Sequence, residues 1–179
     1  SNFCDLKQLT IDGCTFNNIT SFNGDSIVLT NCFKCMIEKC NFIDCCTTGF
    51  AISSAANDLC VYDSIVRFSH NDKSQFSGGI SVQSSGKTEI ENVQFINTVN
   101  KPALLINQQS KTHDDLVIFN CIFDSCSGAK CFEITSKTTS LTFQNNVMKN
   151  SFIEEGNNNF LGTINCNSKI NALDIINMT

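Results

Sequence analysis

The stretch Leu9-Thr10-Ile11-Asp12-Gly13-Cys14-Thr15-Phe16-Asn17-Asn18 returns several times along the chain in recognisable form. Further copies lie at residues 35–44, 88–97, 116–125 and 141–150. Each copy has two apolar residues separated by one position. These are followed three positions later by Cys, Val or Asn, and two positions after that by Phe or Met. A repeat of this kind predicts a chain built from stacked structural units.

The spacing of the copies predicts how many units there are. The second apolar residue of each copy falls at Ile11, Ile37, Ile90, Ile118 and Phe143. The intervals are 26, 53, 28 and 25 residues, and because 53 is about two intervals, one further copy is expected between. We predict it at residues 61–71, with Tyr62, Ile65 and Phe68 at its apolar positions. Residues 173–178 form a last, partial copy.

A second recurring element lies between the copies. It is short, rich in β-branched or aromatic residues and bounded by Gly, Ser, Asn or Asp, and it occurs at residues 26–29, 49–52, 79–82, 103–106, 130–134 and 160–164. These features are typical of β-strands, and no helical periodicity is present. A unit of strand, turn, strand and turn cannot bury its apolar face alone, but stacking on its neighbours can.

The fold predicted from this pattern is all-β: a parallel β-helix, or solenoid, of about six to seven rungs. Residues 1–179 form a single β-helix domain, which we expect to be a segment of a larger protein. The alternative is a leucine-rich repeat, because residues 116–123 fit the strand half of that repeat. Strand-like sequence occupies the place of the convex half, which favours the β-helix.

In-register stacking would align equivalent side chains in ladders. The predicted core ladder is Phe16, Phe42, Phe68, Phe95, Phe123 and Met148. The cysteine ladder beside it contains Cys14, Cys40 and Cys121, with Ile65, Val93 and Asn146 at the other levels. Polar residues two positions after the core ladder predict a corner that tolerates left-handed dihedral angles: Asn18, Asp44, His70, Asn97, Ser125 and Asn150.

The repeats resemble those of right-handed parallel β-helix proteins, and more narrowly those of polymorphic-membrane-protein-like surface adhesins. Phe68-Ser69-His70-Asn71 matches the Phe-x-x-Asn element of the narrower family, and Ser77-Gly78-Gly79-Ile80 approximates its Gly-Gly-Ala element. Other copies have Phe-x-(Asn/Asp) instead. The resemblance implies a surface-exposed or secreted adhesin-like rod without chemistry of its own.

Charge and composition restrict the partners and the location. The net charge is −5 and Arg67 is the single arginine, so the basic stripe that nucleic-acid binding requires is missing. No run of apolar residues is long enough for membrane insertion within this segment. Asn18-Ile19-Thr20 and Asn177-Met178-Thr179 fit the N-glycosylation pattern, and with twelve cysteines they favour an extracellular or cell-surface location in the secretory pathway.

The cysteines allow several states. Cys14 and Cys40 would lie on adjacent rungs, at a distance compatible with a disulfide, although a stack of buried thiols fits the parallel side chains better. Cys32 and Cys35 have zinc-like spacing, but no second pair completes a site. We therefore predict no metal and no cofactor.

The candidate functional feature is an acidic stripe formed by Asp12, Glu38 and Glu91, which share one outward repeat position; Asp63 lies approximately there. Solvated charge on a strand face is the simpler interpretation. The stripe lacks the Arg or Lys partner that lyase chemistry would require, since Arg67 stands alone, and we predict no catalytic residues.

The sequence thus favours a non-catalytic structural or adhesive rod that contacts other proteins or glycans. Flanking domains of the same chain, or self-assembly through the end rungs, would cover its exposed strand edges. One alternative is a carbohydrate-active β-helix enzyme, either a polysaccharide lyase or glycosidase-like. Another is an intracellular structural scaffold in which all thiols are reduced.

Overall fold

The computed structural model describes residues 6–19, 24–45, 48–69, 77–83, 86–108, 115–127, 130–137, 140–151, 162–166 and 169–178. Residues 166 and 169–178 are described by their backbone alone. His70, which the sequence places at a corner, lies outside the described residues.

Within this part of the chain, the regular secondary structure consists of eighteen β-strands. The first three turns of the chain contain β1 (Leu6–Asp12), β2 (Thr15–Asn17), β3 (Ile27–Leu29), β4 (Cys32–Glu38), β5 (Asn41–Ile43), β6 (Phe50–Ser54), β7 (Asp58–Tyr62), β8 (Ile65–Arg67) and β9 (Gly78–Val82). The next two contain β10 (Thr88–Glu91), β11 (Gln94–Ile96), β12 (Leu104–Gln108), β13 (Asp115–Phe119), β14 (Ile122–Asp124) and β15 (Phe132–Ser136). The chain continues in β16 (Ser140–Lys149), β17 (Gly162–Cys166) and β18 (Lys169–Met178).

The strands form three faces that run along one axis. Face 1 contains β1, β4, β7, β10, β13 and the first half of β16, and face 2 contains β2, β5, β8, β11, β14 and the second half of β16. Face 3 contains β3, β6, β9, β12, β15 and β17, while β18 pairs with β16. Each named strand is parallel to its partners. The fold is a right-handed parallel β-helix of about five turns, close to the predicted number.

The third face explains why the leucine-rich repeat is wrong. That repeat has a convex half without a regular sheet, whereas here the second recurring element forms the six-stranded face 3. Its strands pair in register, as in Leu104 with Phe132 and Ile106 with Ile134. The predicted copy at residues 173–178 also pairs as expected, because Leu173 lies beside Phe143.

The core lies inside the coil, where alternate side chains of all three faces meet. Ile11, Ile37, Val61, Ile90, Ile118 and Phe143 form the inward column of face 1. From Ile37 to Phe143 these side chains are fully buried. Ile11 is only partly buried, because within the described residues no turn precedes β1. Apolar burial of this extent supplies the main driving force for folding.

The core ladder of face 2 differs from the prediction at one level. Phe16 pairs with Phe42 and Phe95 with Phe123, and their rings stack at 4.9 Å and 5.2 Å between centroids. Phe123 pairs with Met148, as predicted. Between Phe42 and Phe95, however, the partner is Val66 and not Phe68.

The position of the corner in the third turn causes this difference. Asp63 has a φ of 49° and is equivalent to Gly13 and Lys39, which also have positive φ. In each turn the ladder residue follows this left-handed residue by three positions, as Phe16 follows Gly13. In the third turn that position is Val66 and not Phe68. Phe68 is buried at the next corner instead, where its N–H donates to the carbonyl of Ile96 at 3.1 Å.

The two corners that flank face 2 are built from left-handed residues. The first contains Gly13, Lys39, Asp63, Asn92, Asn120 and Asn145, with φ between 49° and 62°. The second contains Asn18, Asp44, Asn97, Ser125 and Asn150, with φ between 51° and 58°, which confirms the prediction for these five residues. Asn and Asp tolerate this region because their side chains form local hydrogen bonds. At this corner the Asn97 amide also joins two turns, because it donates to the carbonyl of Phe68 in the preceding turn at 2.8 Å.

The cysteine ladder is interrupted. Cys14 and Cys40 are equivalent, but Ser64 rather than Ile65 follows them, and Val93 separates Ser64 from Cys121. The Ser64 hydroxyl accepts a hydrogen bond from the N–H of Cys40 at 3.1 Å, so a hydroxyl replaces the thiol at this level. Cys14 is exposed, in contrast to the predicted stack of buried thiols, because it belongs to the first turn.

We predict that Phe95→Ala lowers the free energy of unfolding by about 3–5 kcal/mol, because it removes a fully buried ring from the middle of the ladder. Phe33→Ala is the matched control, since its side chain is 63% exposed and its loss should cost less than about 0.5 kcal/mol. Urea denaturation of the variants measures both changes. Equal losses for the two variants would contradict the ladder.

Candidate contact face

The outward side chains of face 1 form columns, because successive strands are parallel and in register. One column contains Asp12, Glu38, Tyr62, Glu91, Phe119 and Gln144. The predicted acidic stripe is therefore present at Asp12 and Glu38, but Tyr62 separates Glu38 from Glu91. Asp63 is a corner residue and lies outside the column.

The neighbouring column carries mainly apolar groups and one further acid. It contains Thr10, Met36, Cys60, Glu89, Val117 and Thr142. We define the contact face as the half-buried outward side chains of the four central strands of face 1: Met36, Glu38, Tyr62, Glu89, Glu91, Val117 and Phe119. It combines aromatic, aliphatic and acidic groups on one surface.

The centre of the contact face is held by hydrogen bonds to the Glu89 carboxylate. This carboxylate accepts a hydrogen bond from the Tyr62 hydroxyl and contacts the Cys60 thiol at 3.6 Å. The Lys87 ammonium lies 2.6 Å from its other oxygen. Two groups from β7 and the lysine that directly precedes β10 thus fix one carboxylate in place.

These contacts set the protonation states at the centre. Burial alone would raise the pKa of Glu89, but the hydrogen bonds from Lys87 and Tyr62 outweigh it, and the pKa is lowered from its ordinary value. Burial and the hydrogen bond to Glu89 raise the pKa of Tyr62. At neutral pH Glu89 is therefore an anion, and Tyr62 is a neutral donor.

The acidic side chains have lysine partners that the sequence pattern did not reveal. The Lys39 ammonium lies 2.5 Å from Glu38, and Lys87 lies 2.6 Å from Glu89. The expectation that the stripe lacks a cationic partner is thus wrong at Glu38, whereas Glu89 lies outside the predicted stripe. Lys87 directly precedes β10 and lies two positions before Glu89, so the period of an extended chain places both on the outer surface, and this signal was available in the sequence.

Burial makes two thiols of the cysteine ladder, Cys40 and Cys121, poor nucleophiles. The Cys40 thiol donates to the carbonyl of Glu38 at 3.1 Å, and burial raises its pKa. Burial raises the pKa of Cys121 to about 12, so it remains a thiol at neutral pH. Low thiolate content and inaccessibility both reduce cysteine reactivity.

The other predicted positions lie apart from the contact face. Asn18 is exposed at the second corner, whereas Asn177 is described only as a backbone partner of Met148 in β18. Cys32 lines a groove of about 620 Å³ at the start of the coil, together with Leu6, Lys7, Asn31, Phe33, Ala55 and Asn57. Among the described side chains, no three His, Cys, Asp or Glu residues are placed to bind a metal ion.

The part of the chain that the structure describes contains no helix long and apolar enough to cross a membrane.

Comparison with known proteins identifies one relationship. The family model described as "Right handed beta helix region" matches residues 3–174, which is nearly the whole chain. Searches of curated proteins and of solved structures gave no match.

We predict that Glu89→Gln lowers the free energy of unfolding at pH 7 by roughly 0.5 kcal/mol, since it removes a partly exposed ion pair with Lys87. The pKa of Glu89 is lower in the folded state, so its stabilising effect is present above about pH 4.3 and is lost as the pH falls through the folded-state value. Urea denaturation between pH 7 and pH 3 should show the two proteins converging. A difference that is constant with pH would contradict this assignment.

Proposed function

This chain belongs to the family of right-handed β-helix proteins, and from this premise we propose that it is a non-catalytic structural or adhesive rod. It acts within an extracellular or cell-surface protein and contacts other proteins or glycans. The observation that carries the proposal is the contact face, where half-buried aromatic and acidic side chains are repeated at the spacing of the strands.

The packing of the coil supports a rod. Consecutive turns are joined along the axis by backbone hydrogen bonds in all three faces, and the interior is filled by columns of buried apolar side chains. Each turn therefore contacts mainly its neighbours, as in other solenoids, and the outer surface extends along the axis. A surface that extends along the axis can contact an elongated partner over several turns.

The chemistry of the contact face supports binding. Tyr62 and Phe119 lie on either side of Glu91 in one column, each on a strand about 4.8 Å from the strand of Glu91. Aromatic side chains are enriched at binding surfaces because they bury a large area at a small cost in conformational entropy. The carboxylates of Glu38 and Glu91 accept hydrogen bonds from hydroxyl or ammonium groups of a partner.

The extracellular location rests on the sequence more than on the contact face. Asn18 is exposed and begins a glycosylation tripeptide, and the chain has twelve cysteines. A glycan attached to Asn18 would project from the second corner. It would leave face 1 open, because the contact face lies in the central strands of that face.

We predict that Tyr62→Ala and Glu91→Gln each weaken binding to an array of immobilised glycans and matrix proteins by about tenfold or more, because each removes a central contact. Glu133→Gln is the matched control. Glu133 lies on β15 in face 3, and this variant should bind as the wild type does. Binding that is unchanged in both test variants would place the contact surface elsewhere.

One observation favours a carbohydrate-active enzyme as the second candidate. Glu38 and Glu91 occupy one column two strands apart, so their backbones are separated by about 10 Å. This is close to the carboxylate separation of about 6.5–9.5 Å in inverting glycoside hydrolases. The two acids would act as general acid and general base.

If the chain is such an enzyme, we expect it to turn over an acidic polysaccharide, with or without calcium. This turnover should be lost when Asp12, Glu38 and Glu91 are all changed to Ala. The release of reducing ends and the absorbance of unsaturated products measure the turnover. Turnover that depends on these three carboxylates would replace the rod proposal. The absence of product under all conditions, together with binding on the array, would support the rod.

A further inference from the structure

The outward side chains of face 2 form two columns. In β5, β8, β11 and β14 the middle residue points into the core, and the residues on either side of it point outward. The second half of β16 continues the pattern. Column A contains Asn41, Ile65, Gln94, Ile122 and Val147, and column B contains Ile43, Arg67, Ile96, Asp124 and Lys149.

The outer surface of face 2 is largely aliphatic. Its half-buried members include four isoleucines and one valine on neighbouring strands: Ile43, Ile65, Ile96, Ile122 and Val147. An outward column of face 3 is more polar, since it contains Ser53, Ser81, Leu105, Glu133 and Thr163. A contiguous apolar patch on the outside of a protein marks an interaction surface.

Column B carries charges of both signs. The Asp124 carboxylate accepts a hydrogen bond from the Asn150 amide at 3.0 Å and lies 3.2 Å from the Lys149 ammonium. Arg67 lies two strands away in the same column and is exposed, and among the described residues it forms no ion pair. Ile96 lies between Arg67 and Asp124. The column thus places an available cation and a fixed anion at equal distances from Ile96.

Both columns are self-complementary about β11. In column A, Ile65 and Ile122 lie one strand on either side of Gln94. In column B, Arg67 and Asp124 lie one strand on either side of Ile96. A two-fold axis along β11 therefore brings apolar groups opposite apolar groups, and the cation opposite the anion. A two-fold interface requires this kind of pattern, because each contact in it occurs twice.

We propose that two copies of this chain pair side by side through face 2, with their coils antiparallel and the two-fold axis along β11. Ile65 of each copy then faces Ile122 of the other, and Arg67 faces Asp124. At the centre, Ile96 faces its own counterpart. The pairing goes beyond the proposed function and does not depend on it, because the contact face belongs to face 1 and stays open.

The other two-fold arrangement places the coils parallel and fits the columns less well. Each residue of column A would then face the residue of column B on the same strand. Ile65 would face Arg67, and Ile122 would face Asp124. Burial of a charge against an apolar group without a compensating partner is unfavourable. The order of residues along the two columns therefore favours the antiparallel pair.

The size of the surface predicts a weak association. Five strands about 4.8 Å apart give it a length of roughly 20 Å, and three-residue strands make it narrow. Such a surface is smaller than the roughly 800 Å² that each partner buries in a standard stable complex. We therefore expect a dimer that dissociates on dilution, and also at high salt, which screens the contacts between Arg67 and Asp124.

Sedimentation velocity of the wild-type protein tests the association directly. Over a dilution series up to roughly 1 mM, the average mass should rise from that of one chain toward that of two and stop there. It stops there because a two-fold pair is closed. A monomer at every concentration would overturn the proposal. A series of larger oligomers would also overturn it, because it would assign the association to the end strands.

Charge reversal tests the contact between Arg67 and Asp124. Arg67→Glu places a carboxylate opposite Asp124, and Asp124→Lys places an ammonium opposite Arg67, so each variant alone should raise the dissociation constant of the dimer by about tenfold or more. Lys137→Glu is the matched control, because this exposed lysine follows β15 in face 3 and the change in charge is that of Arg67→Glu. The control should dimerise as the wild type does.

An equimolar mixture of Arg67→Glu and Asp124→Lys should restore the dimer. In the mixed pair the two introduced charges face each other, and the native Arg67 of one copy faces the native Asp124 of the other. Loss of folding in a variant would not be repaired by mixing, so rescue reports on the contact itself. Two folded variants that stay monomeric when mixed, or that each dimerise alone as the wild type does, would overturn the proposal.

Ile96→Glu provides a test that leaves the hydrogen bonds of Asp124 intact. It places two carboxylates opposite each other at the two-fold axis, so the dimer should be lost at all concentrations of the series. The position is on the outer surface, and thermal unfolding followed by circular dichroism checks that the variant is folded. A folded Ile96→Glu protein that dimerises with the wild-type dissociation constant would overturn the proposal.

Discussion

Parallel hydrogen bonding between consecutive turns is the constraint on which the rest of this structure depends. It fixes each residue opposite its equivalent one turn away, as Ile37 is held beside Ile11 and Val61. A side chain therefore meets the same kind of neighbour above and below it, and its size and polarity must suit both. Phe16 on Phe42 and Phe95 on Phe123 satisfy this requirement by stacking their rings.

The corners make that register possible. A left-handed residue turns the chain at the same place at six successive levels of the coil, from Gly13 to Asn145. Gly, Asn and Asp tolerate positive φ at low cost, which accounts for five of these six residues, with Lys39 as the exception. The side chains of Asp63, Asn92 and Asn120 are also hydrogen-bonded to one another along the corner, so the turns are joined by side chains as well as by backbone.

The sequence predicted the fold well, because apolar periodicity reports directly on the columns of the core. The prediction is wrong at the third turn, where Phe68 is the largest apolar residue but does not lie in the ladder. The structure follows the corner residue Asp63 and places Val66 in the ladder. Hydrophobic size was a weaker guide than the position of the turn. The lysine partners of Glu38 and Glu89 are close to them in sequence and were missed because they lie outside the repeat position that defines the stripe. The hydrogen bond from Tyr62 to Glu89 is different, since cross-strand neighbours become close only after the register is known.

The inward and outward columns differ in what determines their residues. Inward positions repeat because every turn must fill the same interior, so Ile, Val, Leu and Phe recur there whatever the protein does. Outward positions are free of this requirement, and departures from repetition at them have no origin in core packing. Tyr62 and Phe119 are such departures in a column that otherwise carries acids or Gln. Cys131 is an inward departure, since its equivalents in other turns are Ala51, Gly79 and Ala103. In a solenoid, the residues that break the repeat are therefore the ones that distinguish one turn from the next, and the contact face contains two of them, Tyr62 and Phe119.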